Sequence, residues 1–334
     1  MKISHYPNQP HCFAFGGFDM QMLNVINSVN SIGVNAVKMD VWSRERDFDI
    51  LHVWNVTPYN YHVINWAKKS NIKVVATVLF PYSSYLLWLK YYKNIFTKQM
   101  KMAKHIHNLI DKYVVLNERQ LEMLNRYYGI CKSKIEIIPN IINEEFFNSR
   151  YDKNPSINLP LFDYVLCTGN ISNRKNQLNL AKAAIELNIN LVIIGNVLDG
   201  EEAYANELKL LVENNKNILW KREMKEGSTE LVNYYKNCKV FALPSYEETQ
   251  PISVLEAVCL NKPVLLQNKE YAKQKYYNGA YLCENGSVKS IKKELVKIYN
   301  SSIQLDINEF IDECKQDSVA EKYKILYESL MSEK

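Results

Sequence analysis

Short, continuous apolar runs alternate with helix-length amphipathic segments along the whole of this 334-residue chain, and that rhythm leaves few architectures open. In the first half, Cys12–Phe15, Ile50–Trp54, Val74–Phe80, Tyr113–Leu116 and Ile135–Ile138 read as strands, with helices over Met20–Ile32 and Tyr59–Lys69. The second half repeats the pattern. Strands are expected at Tyr164–Cys167, Leu191–Ile194, Ile218–Trp220, Val240–Leu243 and Val264–Gln267. Helices fit Gln177–Leu187, Glu201–Glu213, Thr229–Lys236 and Pro251–Leu260. Strands apolar at consecutive positions are buried on both faces, as in a parallel sheet covered by helices on each side. The chain is also too long for one ordinary domain. The expected fold class is α/β, with two doubly wound Rossmann-like domains, a linker in the proline-bearing stretch 148–160 and a ligand cleft between the domains.

Charge narrows the partners. The net +5 conceals an asymmetry: residues 1–150 hold 18 Lys and Arg against 11 Asp and Glu, and the remainder 23 against 25. Between Asp49 and Asp111 there are eight lysines and no acid. Such a half suits an anionic lipid or a phosphorylated substrate. No zinc-finger spacing or RNA-binding aromatic motif points to nucleic acid. On a helix over 88–110, Lys90, Lys93, Lys98, Lys101 and Lys104 share one arc, and Trp88, Tyr92, Ile95, Phe96, Met102, Ala103, Ile106 and Ile110 the other. That arrangement fits either a helix lying in an anionic membrane surface or a surface helix packed on its own domain. No apolar run is long enough to span a bilayer, and the N-terminal residues do not read as a secretory leader. Seven dispersed cysteines, never spaced C-x-x-C, suit a reducing, cytoplasmic setting and argue against a zinc site.

The stretch from Val240 to Val264 carries the most chemistry. A buried strand ends at Pro244-Ser245, a polar loop comes next, and Pro251 stands where a first helical turn should begin. The segment Thr249, Gln250, Pro251 and Ile252, whose backbone N–H groups (Pro251 has none) would point outward, would then mark a helix N-terminus suited to a diphosphate or a sugar hydroxyl. Glu248 lies in the loop and Glu256 inside the helix, at E-x7-E spacing. Carboxylates do not bind phosphate, but they accept hydrogen bonds from the hydroxyls of a sugar ring or a ribose.

This stretch resembles the E-x7-E signature of retaining glycosyltransferases of family 4, which have the GT-B fold. Other pieces stand in the order of such enzymes: Gly16-Gly17 before the first helix, Asp49-Ile50-Leu51-His52 in a strand, Ile138-Pro139-Asn140 before the linker, and Thr168 to Asn176 opening the second domain. Near the end, Val319 to Glu328 resembles the closing helix that returns to the first domain. The resemblance implies an acceptor-side domain over 1–152, a donor-binding domain over 153–315 and a returning helix over 316–334. It implies that Glu248 contacts the donor sugar and Glu256 the ribose, while Lys175 and Arg174 neutralise the diphosphate leaving group. Gly16 and Gly17 would admit the phosphates closely, as would Gly169 and Asn170, and the loop from Arg222 through Met224 to Gly227 would meet the base. The implied activity is that of a retaining, metal-independent hexosyltransferase without a cofactor, its substrates a UDP- or GDP-linked sugar and a glycan or glycolipid acceptor. With the basic first half, a lipid-linked glycan, lipopolysaccharide or capsule precursor at the inner membrane face of a bacterium is the expected acceptor. A non-catalytic nucleotide-sugar-binding partner, or a GT-B epimerase, is the alternative.

The chain departs from the family pattern at four places. Asn170 stands where an arginine is usual, Ile141 where a glycine follows Ile-Pro-Asn, and Thr249-Gln250 where Gly and an apolar residue follow the first glutamate. The first-domain strand that normally ends in a histidine runs here into Pro81, Tyr82 and Ser83. Asp47-Phe48-Asp49 matches a metal-binding D-x-D pattern but leads straight into a strand, as a strand cap does. His105-Ile-His107 lacks further ligands at metal spacing. No G-x-G-x-x-G follows the first strand, which speaks against a dehydrogenase.

Overall fold

A computed structural model describes residues 1–12, 15–78, 105–150, 162–222, 224–225, 227–301 and 309–332. Most of the lysine-rich segment, residues 88–104, together with Tyr82, Ser83 and linker residues 151–160, lies outside them. The chain divides into two compact units, Met1–Ile141 with Gln316–Lys334, and Ile142–Lys315. Each is built on a six-stranded, wholly parallel sheet.

In the first unit the strands are β1 (Lys2–Tyr6), β2 (Asn35–Lys38), β3 (Ile50–Trp54), β4 (Lys73–Thr77), β5 (Lys112–Val115) and β6 (Ile135–Ile137), in the order β2-β1-β3-β4-β5-β6. Alternation within each strand sends neighbours to opposite faces. Ile50, Val75 and Val114 join one core with α1 (Gly17–Ser31) and the chain's last helix, Gln316–Ser332. Leu51, Val74, Ala76 and Tyr113 join another with α2 (Tyr61–Lys69) and α3 (Glu118–Tyr128). The last helix supplies Val319, Ala320, Tyr323, Leu326, Tyr327 and Leu330 to the first core. Its anchorage is polar as well: His52 Nδ1 lies 2.8 Å from Tyr327 Oη and its Nε2 2.8 Å from Thr77 Oγ1.

Of the expected strand at Cys12–Phe15, Phe13 and Ala14 lie outside the described residues and Cys12 and Phe15 are not in a strand; the first strand described is Lys2–Tyr6. Ser4 and His5 make that run look polar, yet both are buried, and the Trp54 indole N–H donates to His5 Nδ1 at 3.0 Å. Asp47 and Asp49 hold the start of β1, through the Lys2 ammonium at 2.6 Å and the Lys2 backbone N–H at 2.8 Å, as a strand cap would. His107 is likewise structural, its ring 2.7 Å from the Tyr113 hydroxyl.

The second unit holds α4 (Glu144–Asn148), then β7 (Val165–Thr168), α5 (Gln177–Leu187), β8 (Leu191–Ile194), α6 (Glu202–Asn214), β9 (Ile218–Lys221), α7 (Thr229–Asn237), β10 (Val240–Leu243), α8 (Ile252–Cys259), β11 (Val264–Gln267), β12 (Tyr281–Cys283) and α9 (Val288–Asn300). Its sheet runs β12-β11-β10-β7-β8-β9. Strands β2 and β12 escape the apolar rhythm: both are partly exposed sheet edges, β2 carries Asn35 and Lys38 at its ends and β12 is only three residues long.

Candidate functional site

In the second unit, β7 is flanked by β8, the next strand in sequence, and by β10, reached only after the chain has crossed back. That reversal is the topological switch point of a doubly wound sheet, where loops from adjacent strand ends diverge and leave room for a ligand. The loops there begin at Gly169, after β7, and at Pro244, after β10. They carry most of the residues that the sequence singles out.

Backbone geometry locks both loops. Gly169 has φ +131°, and a Cβ there would lie 3.4 Å from Lys175 Cε and Nζ, so the lysine stem lies over a position where a side chain would crowd it. Below it, a Cβ on Gly195 would collide with the Gly169 carbonyl. Asn170 contributes its carbonyl, which accepts from Gln177 Nε2 at 2.9 Å. Asn176 adopts the left-handed conformation at φ 62° and donates its amide to the carbonyls of Pro244 (3.2 Å) and Gly286 (2.8 Å). The Tyr246 N–H donates to Arg174 O at 2.9 Å. The two loops are thus tied before any charge is considered.

Three charges then meet. Lys175 Nζ lies 2.8 Å and Arg174 Nη1 2.9 Å from Glu248 Oε1, and Arg174 also donates to the Glu247 carbonyl at 2.5 Å. The Glu248 side chain is 9% exposed and that of Lys175 12%, whereas Arg174 is 45% exposed. Burial by itself would raise the Glu248 carboxyl; Lys175 and Arg174, helped by Ser245, more than offset it and hold it below the ordinary glutamate value. The cluster keeps one positive charge in excess, with a buried carboxylate at its centre.

Gln274 pins the rest of the second loop, its amide donating to Thr249 O at 2.6 Å and its carbonyl accepting from Gln250 Nε2 at 3.0 Å. Pro251 is the N-cap of α8 rather than part of its first turn, and Ile252 opens the helix. Glu256 is 5% exposed, inside α8, and accepts from the Tyr235 hydroxyl at 2.7 Å. Tyr235 lies in turn 2.5 Å from Thr168 Oγ1, at the end of β7. Arg222 stands elsewhere, its guanidinium over the Trp220 ring at 5.2 Å, at the end of edge strand β9, with half-buried Met224 just beyond.

Gly16 and Gly17 open α1 in the first unit, after β1 and beside the first unit's own switch point between β1 and β3. A Cβ at either would meet nothing within 4 Å, so packing inside the protein does not require glycine there. The Gly16 N–H donates to Asp19 Oδ2 at 2.9 Å, and His11 Nε2 lies 3.3 Å from Asp19 Oδ1. Burial raises the Asp19 carboxyl despite these partners. Sequence reasoning missed this His–Asp pair, as it missed Gln274 and Tyr235, and it gave no role to Thr168 and Asn176, the ends of the stretch that opens the second domain. The first signalled itself only as a histidine ahead of a Gly-Gly step, and the others as ordinary core or turn residues.

Residues 28–146 match the family profile described as Glycosyltransferase Family 4, and residues 158–314 that described as Glycosyl transferases group 1. No curated protein matches the chain. Among solved structures, sucrose-phosphate synthase from Thermosynechococcus elongatus superposes with a TM-score of 0.75 at 13% identity, covering 100% of both chains. Anabaena HepE in complex with UDP and glucose gives 0.70 at 12% identity, covering 99% of this chain and 100% of its own. The lipopolysaccharide outer core galactosyltransferase WaaB gives 0.66 at 14%, with the same coverage. At such identities the structures speak to the fold, while the two profiles, matched in order over both units, speak to the activity class. The chain is a glycosyltransferase of the GT-B fold.

Proposed function

We propose that this glycosyltransferase is a retaining, metal-independent hexosyltransferase. It moves a sugar from a UDP- or GDP-linked donor to a hydroxyl of a lipid-linked glycan, lipopolysaccharide or capsule precursor, at the cytoplasmic face of a bacterial membrane. The observation that carries the reading is the convergence of Lys175 and Arg174 on Glu248 at the switch point of the second unit. As the bond between the anomeric carbon and the phosphate oxygen breaks, its electron pair stays on the nucleoside diphosphate, and two cations within one loop offset that charge. Glu248 would take the sugar hydroxyls, and Glu256 those of the ribose. In the retaining scheme the acceptor oxygen attacks the face the phosphate leaves, and its proton passes to the departing phosphate oxygen. HepE, solved with UDP and glucose and with UDP-glucose, supports a nucleotide-sugar donor.

The acceptor side rests on charge and exposed aromatics. The first unit carries the acid-free, lysine-rich stretch together with Trp42, Tyr59 and Trp66, which are 90%, 92% and 62% exposed. Among the described residues no helix is long and apolar enough to cross a membrane.

The test is a panel of UDP-, GDP-, ADP- and CMP-sugars, reading free nucleotide with and without a membrane lipid extract, with and without EDTA, alongside Glu256→Ala. Release that needs the extract and Glu256 and survives EDTA supports the proposal, and NMR of the product's anomeric centre reads retention directly. Release without extract points to hydrolysis or epimerisation, and binding without release to a non-catalytic partner.

A further inference from the structure

Tyr235 spends its hydroxyl differently from Tyr164 and Tyr271, two other buried tyrosines of its unit, and, like Tyr276, which donates to Glu313, gives it to a carboxylate. Tyr164 donates to the Tyr234 carbonyl at 2.8 Å and Tyr271 to the Ser245 carbonyl at 3.2 Å, the ordinary way for a core phenol to satisfy its O–H. Tyr235, fully buried, instead bridges two side chains, Thr168 Oγ1 at 2.5 Å and Glu256 Oε2 at 2.7 Å. The Tyr235 O–H donates to Glu256 Oε2, and a phenol has a single proton to give, so in the bond between them the Thr168 hydroxyl donates to Tyr235. The direction of the chain is therefore fixed from β7 to α8.

Its two ends lie on the two arms of the switch point. Thr168 is the last residue of β7, directly before the loop that carries Lys175, and Glu256 sits on the helix after the Glu248 loop. The ring is clamped as well, parallel to Phe241 at an interplanar angle of 11° and edge-on to Phe146 at 88°. Glu256 is costly where it stands: its neighbours Val254, Leu255, Ala257 and Cys259 are all 0% exposed, and a buried carboxylate is tolerated only when hydrogen-bonded. A chain selected for stability alone would place an apolar residue there.

We propose that Tyr235 is a positioning residue that sets the Glu256 carboxylate for a ribose hydroxyl of the donor nucleotide and, through Thr168, couples that setting to the loop bearing Lys175. The inference rests on the donor-site reading above. Phenylalanine at 235 keeps the ring and its packing and removes only the bridge.

The experiment measures calorimetric binding of UDP, GDP, ADP and CDP to the full chain, then of the tightest nucleotide and its 2′-deoxy and 3′-deoxy forms to the variants. Tyr235→Phe and Glu256→Gln should each weaken the ribonucleotide about tenfold, the scale of one hydrogen bond to a charged group. Each should also erase most of the preference over the deoxy form that Glu256 reads, and the double variant should bind no more weakly than Glu256→Gln alone. Thr168→Val should move binding in the same direction by less, with Thr168→Ser restoring it; that pair decides the matter if Tyr235→Phe fails to fold. Losses that add in the double variant, or that fall equally on ribo and deoxy nucleotides, would overturn the positioning role alone. A wild-type chain that binds none of the four nucleotides, or Glu256→Gln binding as wild type does, would overturn the donor-site reading and this inference with it.

Discussion

Lys175 is the cation that the site can least replace. It is nearly buried against a buried carboxylate, whereas Arg174 reaches the same oxygen from a half-exposed position. Lys175→Met leaves Glu248 with one exposed partner, and such a loss costs about 2–3 kcal/mol of stability, below the full penalty for stranding a buried charge because Arg174 remains. On the proposed function, in which Lys175 offsets the charge of the leaving group, the same change should lower kcat by about a hundredfold or more. Arg174→Met should cost less than tenfold in kcat and little stability. Urea unfolding beside nucleotide-release rates checks both, and equal losses for the two variants would refute the ranking. Glu248 is legible through its E-x7-E spacing in the loop after an apolar strand, and Lys175 and Arg174 through their place in the stretch from Thr168 to Asn176 that resembles the family's loop. Sequence could not show that the three contact one another, because strands far apart in sequence bring them together. Nor could it show Thr168 and Tyr235 as anything but core, since a bridging hydroxyl leaves no spacing rule behind.

At the scale of elements, the last helix is the piece on which the first unit most depends. Its five large core residues each contribute about 1.5–3 kcal/mol of burial and Ala320 less, together on the scale of the whole net stability of an ordinary domain. A chain ending at residue 315 should therefore lose the first unit, read as rapid proteolysis of that unit while peptides of the second persist. Where the helix meets the sheet, acid adds a second test. Burial holds His5 down to about 3 and His52 well below the ordinary histidine value, the latter also through the neighbouring His5. Both groups bind protons more readily when unfolded, so their contribution is intact above about pH 6.5 and shrinks as pH falls. Between pH 7 and 5 His5 should remove about 2 kcal/mol and go on doing so down to about pH 3, and His52 should act in the same direction. Hydrogen exchange of β1 and β3 peptides across that range reads it, and a flat profile would refute neutral burial. The closing helix and β3 were legible as elements. The His52–Tyr327 bond that joins them was not, because His52 in an apolar run gives no sign of its partner, and β1 was obscured by polar residues that the fold buries in pairs.

Across the whole molecule, the clearest asymmetry is charge, and it belongs to the sequence rather than to either sheet. Both units use the same doubly wound device, each with its switch point, so the fold gives no reason for one half to be basic and the other slightly acidic. An acid-free interval with eight lysines is costly in self-repulsion unless something anionic faces it. If that partner is a membrane surface, each lysine near it contributes about 1 kcal/mol, screened over a Debye length of about 10 Å at 0.1 M salt. The full chain should then sediment with vesicles rich in phosphatidylglycerol at low salt, pass to the supernatant as salt rises, and ignore vesicles of phosphatidylcholine alone. Replacing Lys90, Lys93, Lys98, Lys101 and Lys104 by glutamine should remove about 5 kcal/mol, enough to abolish sedimentation, while nucleotide binding by the second unit stays as it was. Activity on a membrane-borne acceptor should fall with the binding, and activity on a short soluble acceptor should not. Sedimentation that survives the five changes would move the contact to the exposed aromatics Trp42, Tyr59 and Trp66; the absence of sedimentation in the wild type would leave a soluble acceptor as the reading that the charge must explain.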